Sequence, residues 1–179
     1  MRIVAGELRG RLIVAPKGTA TRPTTDKARQ ATFNSLGSLN LVVGARVVDL
    51  FAGSGALGIE ALSRGATHCT FVERDRFAID ALRLNIESLG LGERTSVIRG
   101  DGLTHLSLVG DATLVLADPP YDFVRWPELL EESTAPFVVA ESDRELASEI
   151  ADCTDWQVIR AKRYGRAYVT FIQRIPYIR

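Results

Sequence analysis

Two features that often define a site are scarce in this chain of 179 residues, which has two cysteines and no long apolar run. Cys69 and Cys153 lie far apart and match no metal-ligand spacing, so we expect reduced thiols and no metal. No apolar run approaches the roughly 20 residues that a membrane helix needs. Glu7 and Arg9 interrupt the first apolar run, so we expect no signal peptide. These absences favour a cytoplasmic protein that contacts no membrane.

The net charge is zero, but the charges are unevenly distributed. Residues 1–30 carry seven Lys or Arg against two acids, and residues 160–179 carry six against none. The residues between these ends are strongly acidic. Two basic ends predict a surface for a polyanion such as RNA. Charged termini that are merely solvated would give the same pattern, so charge alone does not decide.

The pattern of apolar residues predicts a short extension followed by one α/β domain. Residues 1–22 hold two β-like runs, 2–5 and 11–15, around G-E-L-R-G, which is typical of a β-hairpin. Residues 23–179 begin with a helix and then alternate strands with helices. This alternation predicts a parallel sheet covered by helices on both faces. Two β runs around Gly165 close the chain and add at least one antiparallel strand.

A glycine loop follows the first strand of the alternating region. Gly53, Gly55 and Gly58 match G-x-G-x-x-G, the fingerprint of a nucleotide-binding turn between a strand and a helix. We expect Gly53 and Gly55 to let the backbone approach a ligand, and Gly58 to let the helix pack closely. Glu73 ends the second strand, where a carboxylate can accept both hydroxyls of a ribose. The alternative is a tight turn with an exposed acid at a strand end.

The glycine loop leaves two cofactors open, a nicotinamide dinucleotide and S-adenosylmethionine. Asp49 lies within the strand end, where its carboxylate would attract the ammonium of a methionine moiety and repel a pyrophosphate. Asp101 ends the third strand and suits an adenine amine, although a simple Asp-Gly turn explains it nearly as well. These acids favour S-adenosylmethionine.

The stretch L-A-D-P-P-Y ends the fourth strand with an unusual set of residues. Pro119 and Pro120 restrict the backbone and lack N–H groups but keep their carbonyls. The Asp118 carboxylate and the Pro119 carbonyl therefore form a rigid pair of acceptors suited to an exocyclic amine. Tyr121 offers a flat face on which a planar base can stack. Acceptors on both N–H bonds would activate such an amine for methyl transfer.

Several motifs together resemble the RsmD family of bacterial 16S ribosomal RNA guanine-N2 methyltransferases. They are R-I-V-A-G, R-G-R, R-P-T-T-D-K-A-R, D-L-F-A-G-S-G-A-L-G-I-E-A-L-S-R-G-A, A-D-P-P-Y and R-Y-G-R-A-Y. The resemblance implies a Rossmann-like class I S-adenosylmethionine-dependent methyltransferase. Its sheet would have seven mostly parallel strands with an antiparallel last strand, and a β-hairpin extension would precede it.

The resemblance also implies the residues of each site. The catalytic residues would be Asp118, Pro119, Pro120 and Tyr121. The cofactor site would comprise Asp49, Phe51, Gly53, Ser54, Gly55, Glu73, Arg74, Asp101, Gly102 and Asp118. Arg22, Thr25 and Arg29 would lie near the mouth of the site and contact cofactor or RNA. The basic charge of the N-terminal residues, and not the resemblance, adds Arg2, Arg9, Arg11 and Lys17 as expected RNA-binding residues.

The implied substrate is a guanine of 16S rRNA, free or in the assembling 30S subunit, acted on by a monomer without metal. Three alternatives stay open. The same chemistry could act on an adenine amine in DNA or a glutamine amide in a protein. The fold could instead serve an NAD-dependent oxidoreductase, or a non-catalytic RNA-binding assembly factor.

Overall fold

The computed structural model describes residues 1–16 and 26–176, in which helices and strands alternate. The strands are β1 (Arg46–Leu50), β2 (His68–Glu73), β3 (Thr95–Arg99), β4 (Leu114–Ala117), β5 (Phe137–Ser142), β6 (Trp156–Tyr164) and β7 (Ala167–Arg174). The α-helices are α1 (Asp26–Ser38), α2 (Ala56–Ser63), α3 (Arg76–Leu89), α4 (Gly102–Leu106), α5 (Trp126–Glu132) and α6 (Ala147–Ala151).

Within these residues, seven strands form one sheet in the order β3-β2-β1-β4-β5-β7-β6. The five neighbouring strands β3, β2, β1, β4 and β5 are all parallel, so their carboxyl ends lie at one edge of the sheet. The last strand, β7, runs antiparallel between β5 and β6. The predicted Rossmann-like sheet with an antiparallel last strand is confirmed.

Helices cover both faces of the sheet and build two cores. On the first face, α1, α2 and α3 pack on the sheet through residues such as Phe33, Leu62 and Leu82. On the second face, α4, α5 and α6 pack through residues such as Leu103 and Leu129. In the described part of the chain, no helix combines the length and apolar character needed to cross a bilayer.

The N-terminal residues fold back on themselves but form only one isolated bridge, between Arg2 and Leu12. The two predicted strands are therefore shorter than expected. The cause is competition for backbone donors, because the amides of Val4 and Ala5 bond to the Glu60 carboxylate of α2 at 2.8 and 3.0 Å. The N-terminal residues therefore bond to α2 as well as to each other, since the N–H of Ile3 donates to the carbonyl of Arg11 and that of Ile13 to the carbonyl of Met1, both at 3.0 Å.

Candidate active site

Three carboxylates gather at the edge where β1, β2 and β4 end. Asp49 lies in β1, Glu73 closes β2, and Asp118 follows β4 directly. Leu50 pairs with the residues that immediately precede Glu73 and Asp118. Because side chains alternate along a strand, the three acids point to the same face of the sheet. Among the described residues, no group of three His, Cys, Asp or Glu is arranged to hold a metal ion.

The three glycines of the loop have different surroundings. Gly53 has a φ of +55°, and a Cβ added there would meet nothing within 4 Å, so its backbone faces open space. A Cβ on Gly55 would lie 2.4 Å from Leu82, and one on Gly58 would lie 2.3 Å from Phe71. Gly53 is thus the glycine that a ligand can approach. Gly55 is buried against Leu82, and the expectation that its backbone approaches the ligand stays a prediction.

The Asp49 carboxylate lies almost completely inside the protein, with 1% of the residue exposed. Its Oδ2 accepts a hydrogen bond of 2.8 Å from the backbone N–H of Gly58. Burial raises the pKa of Asp49, and the charges of Asp118 and Glu73 raise it further, while the Gly58 bond opposes these effects. The structure therefore gives Asp49 the task of fixing the loop. The expected pairing of Asp49 with an ammonium group stays a prediction, because the Gly58 bond engages one of its two carboxylate oxygens.

The Glu73 carboxylate is already engaged by backbone donors. It accepts bonds of 2.8 Å from the N–H groups of Gly53, Arg74 and Asp75. A carboxylate offers about four lone-pair positions, so roughly one remains. Glu73 can hold one ribose hydroxyl as it stands, and holding two requires release of a backbone donor. This arrangement ties β2 to the glycine loop.

Asp101 caps the short helix α4, which the sequence did not predict. Its Oδ1 accepts from the backbone N–H groups of Leu103 and Thr104 at 3.1 and 3.4 Å. The Asp-Gly pair is thus a helix start and not a simple turn. A Cβ on Gly102 would lie 2.7 Å from the end of the Leu50 side chain, so α4 packs closely against β1 at this glycine. Asp101 itself is exposed at the mouth of the crevice.

The Asp-Pro-Pro-Tyr stretch forms a turn directly after β4. Asp118 is half-buried, Pro119 is buried and Pro120 is exposed. The carbonyl of Pro120 accepts a hydrogen bond of 3.0 Å from the N–H of Phe123, which closes the turn. Tyr121 lies in this turn and is 48% exposed. The stretch therefore presents a carboxylate and an accessible ring at the same edge as the glycine loop.

An aromatic cluster joins the glycine loop to this turn, and the sequence reasoning did not anticipate the contact. The Phe123 ring meets Phe51 edge-to-face at 5.3 Å and Trp126 at 4.9 Å. Phe51 has a φ of +63°, a conformation that a non-glycine residue adopts at a cost in strain. The expected Phe51 thus lies at the crevice, held by its ring contacts.

Asn85 is a second residue that the sequence reasoning missed. Its Nδ2 donates to the carbonyls of Ser54 and Val14 at 3.0 Å, and its Oδ1 accepts from the Val14 N–H at 2.7 Å. It thereby links the glycine loop to the N-terminal residues. The available signal was an asparagine between Leu82 and Leu89, on the apolar side of α3.

Arg29 lies in the interior and not at the surface. Its residue is 0% exposed, its Nε lies 3.6 Å from Glu60, and its guanidinium donates to the backbone carbonyl of Arg2. Glu60 also binds Arg64 at 2.7 Å. An RNA contact for Arg29 is therefore corrected to a structural role. This buried cluster anchors the N-terminal residues on α2.

The other expected RNA-binding residues divide into two groups. Arg2, Arg9 and Arg11 are exposed; Arg2 donates to the carbonyl of Gly10 at 3.0 Å and Arg11 to that of Ser88 at 2.8 Å. Three residues lie outside the described residues: Lys17, Arg22 and Thr25.

The sheet order and the glycine loop after β1 define a Rossmann-like methyltransferase fold, and solved structures agree. "Putative methyltransferase yhhF" from Escherichia coli matches with a TM-score of 0.82 and 32% identity over 98% of both chains. "Putative methylase HI0767" from Haemophilus influenzae matches with a TM-score of 0.76 and 25% identity over 98% of both chains.

The sequence matches the family described as "Conserved hypothetical protein 95" over residues 1–173, and the chain belongs to that family. It is 38% identical over 188 residues to "Putative rRNA methyltransferase YlbH" of Bacillus subtilis, covering 97% of this chain and 99% of that protein. It is 39% identical over 122 residues to "Ribosomal RNA small subunit methyltransferase D" of Escherichia coli, covering 68% of this chain and 60% of that protein. The resemblance to the RsmD family is confirmed.

Proposed function

We propose that this chain transfers a methyl group from S-adenosylmethionine to the N2 amine of a guanine in 16S rRNA. The observation that carries the proposal is the half-buried Asp118 at the carboxyl end of β4, followed by two prolines and an exposed Tyr121. The relatives named as rRNA methyltransferases support the substrate class.

The crevice fits S-adenosylmethionine better than a dinucleotide. The open backbone at Gly53 and the acids Glu73 and Asp101 would hold the nucleoside, with Phe51 and Arg74 beside it. Negative side chains at this edge attract a sulfonium cation and repel a pyrophosphate. When bound, S-adenosylmethionine supplies a methyl group on a positively charged sulfur. This charge argument weighs against the NAD-dependent alternative.

The turn after β4 supplies the groups that act on the amine. The Asp118 carboxylate and the Pro119 carbonyl would accept the two N–H bonds of the guanine amine. This localises the nitrogen lone pair and stabilises the positive charge that develops on attack. Asp118 then takes the released proton. Tyr121 stacks on the base, a contact that stabilises binding by about 1–3 kcal/mol.

The target base must leave its stack to reach Asp118, at a cost of a few kcal/mol. Residues 1–22 form the RNA-binding extension of the proposal, with the exposed Arg2, Arg9 and Arg11 on its surface. We expect binding to weaken with salt, since each phosphate contact releases counterions. The reaction belongs to the assembly of the small ribosomal subunit.

Product mapping tests this proposal. The protein is incubated with labelled S-adenosylmethionine and either naked 16S rRNA or small-subunit particles that lack the modification. The RNA is then digested, and we expect the label in N2-methylguanosine at one position. Label in an adenosine, or only in protein, would overturn the guanine assignment. Binding without any transfer would favour the non-catalytic assembly factor.

A further inference from the structure

A polar groove lies between α1 and the edge strand β6, apart from the crevice. Its volume is about 300 Å³. One wall is a face of α1 that includes Asn34 and Ser38, and the other is formed by alternate residues of β6, namely Arg160, Lys162 and Tyr164. Residues four apart on a helix, and residues two apart on a strand, lie on the same face, so each wall of the groove is one continuous face of its element.

The groove opens on the same face and edge of the sheet as the catalytic turn. Lys162 pairs with Val169, and Val169 pairs with Glu141 of β5. Ala140 of β5 pairs with Ala117 of β4, so the residues that follow them, Glu141 and Asp118, also lie opposite each other. Lys162 and Asp118 therefore share one transverse row, three strand spacings or about 14 Å apart. Residues of one row point to the same face.

Among the described residues that line the groove, two are cations and none is a carboxylate. Arg160 donates to the hydroxyl of Ser38 at 3.3 Å. Within the described ranges, neither Arg160 nor Lys162 forms an ion pair with Asp or Glu. The side-chain amide of Asn34 adds neutral donors, whereas the Ser38 hydroxyl donates to the carbonyl of Ser35 at 2.8 Å. Two cations with neighbouring donors suit phosphate oxygens.

We propose that the groove between α1 and β6 binds the phosphate backbone of the RNA whose guanine lies at Asp118. The inference rests on the proposed function and adds a second anchoring surface, distinct from the N-terminal extension. Both walls are regular elements, so the groove holds the RNA at a fixed distance from the catalytic turn. Phosphate contacts of this kind position the strand and do not read its sequence.

Single substitutions in the groove test the inference. Arg160→Ala and Lys162→Ala should each lower the salt slope of 16S rRNA binding by about 0.7–0.9 and raise the KM for RNA. The kcat at saturating RNA and the affinity for S-adenosylmethionine should stay unchanged. The matched control is Arg46→Ala, which removes an exposed arginine at the start of β1, on the opposite edge of the sheet. It should alter neither the slope nor the KM.

Asn34→Asp gives an independent arm, because it places a carboxylate in the groove at an exposed position. It should weaken RNA binding and leave the affinity for S-adenosylmethionine unchanged. If the wild type binds and methylates RNA while all three groove variants match Arg46→Ala, the groove assignment is overturned and the proposed function stands. If the wild type neither binds nor methylates small-subunit RNA, the proposed function fails and the groove assignment fails with it.

Discussion

The rings of Phe51 and Phe123 meet edge-to-face with 5.3 Å between their centroids. Phe51 begins the glycine loop after β1, whereas Phe123 closes the turn that follows Asp118. This pair therefore joins the part of the crevice that would hold the methyl donor to the part that would hold the target base. The two halves of the candidate site are fixed relative to each other by an apolar contact.

Phe123→Leu should loosen this connection while keeping most of the apolar volume. An aromatic pair contributes about 0.5–1.5 kcal/mol beyond its buried area. We expect a several-fold fall in kcat and a modest loss of stability, measured by steady-state kinetics and urea unfolding. The control is Phe77→Leu on α3, where the ring is 62% exposed. Equal kinetics for the two variants would show that the contact does not position the turn.

Substitutions at two glycines of the loop should have different effects, one mainly on S-adenosylmethionine binding and the other mainly on stability. Gly53→Ala adds a Cβ that meets nothing but must adopt a φ of +55°, so it should weaken S-adenosylmethionine binding with a stability loss of about 1–2 kcal/mol. Gly58→Ala drives a Cβ into Phe71 and should lower the melting temperature more strongly. Calorimetric titration and thermal unfolding measure the two effects. A lower melting temperature for Gly53→Ala than for Gly58→Ala would contradict a binding role for Gly53 and a packing role for Gly58.

Asp49 should give a pH dependence of stability with a defined sign. Burial raises the pKa of its carboxyl in the folded protein above the ordinary value of 3.8. Such a group stabilises the fold fully below pH 3.8, and this contribution is lost as pH rises through the raised pKa. The free energy of unfolding of the wild type should therefore fall relative to that of Asp49→Asn as pH increases.

Urea unfolding of the wild type and of Asp49→Asn, measured from below pH 3.8 upward, checks the sign of this pH dependence. The control for net charge is Asp80→Asn, which removes an exposed carboxylate of α3 and leaves the buried Asp49 in place. A stability difference that shifts in favour of the wild type as pH rises would mean that the folded protein stabilises the charged form of Asp49.

Glu60→Gln should detach the N-terminal residues from α2. The substitution removes the Glu60 charge beside the buried Arg29 and leaves one of the N–H groups of Val4 and Ala5 without its carboxylate acceptor. Breaking a buried ion pair in this way costs about 3–5 kcal/mol. Glu7→Gln removes a carboxylate from an exposed pair with Arg94 and should cost less than about 1 kcal/mol. Similar losses by urea unfolding would refute the anchoring role.

Elements with local signals could be predicted from the sequence. The sequence predicts a helix over Arg76–Leu89, and α3 has these bounds, because the Asp75 side chain accepts from the Ala78 N–H at 2.8 Å and Gly90 ends the helix with a φ of +69°. The sequence also predicts a strand over His68–Glu73 and a helix over Trp126–Glu132, which are the bounds of β2 and α5. Each of these signals lies within a few residues of the element that it defines.

Features that depend on distant partners could not be predicted. In the described N-terminal residues, the predicted strands are reduced to one bridge, and the N–H groups of Val4 and Ala5 bond to Glu60, which lies more than 50 residues away. The burial of Arg29 follows from the same cluster. The positions of Asp49 and Asp118 at one edge were predictable, because parallel strands end together. The engagement of Asp49 by Gly58 depends on how closely α2 packs, which no local pattern encodes.

The most direct test compares the wild type with Asp118→Ala in single-turnover methyl transfer to small-subunit RNA. We predict that the variant keeps its affinity for RNA but, at saturating S-adenosylmethionine, loses transfer by at least about 100-fold, because it lacks both an amine acceptor and the group that takes the proton. Wild-type product should be N2-methylguanosine. Transfer by Asp118→Ala at the wild-type rate would contradict the central role of Asp118.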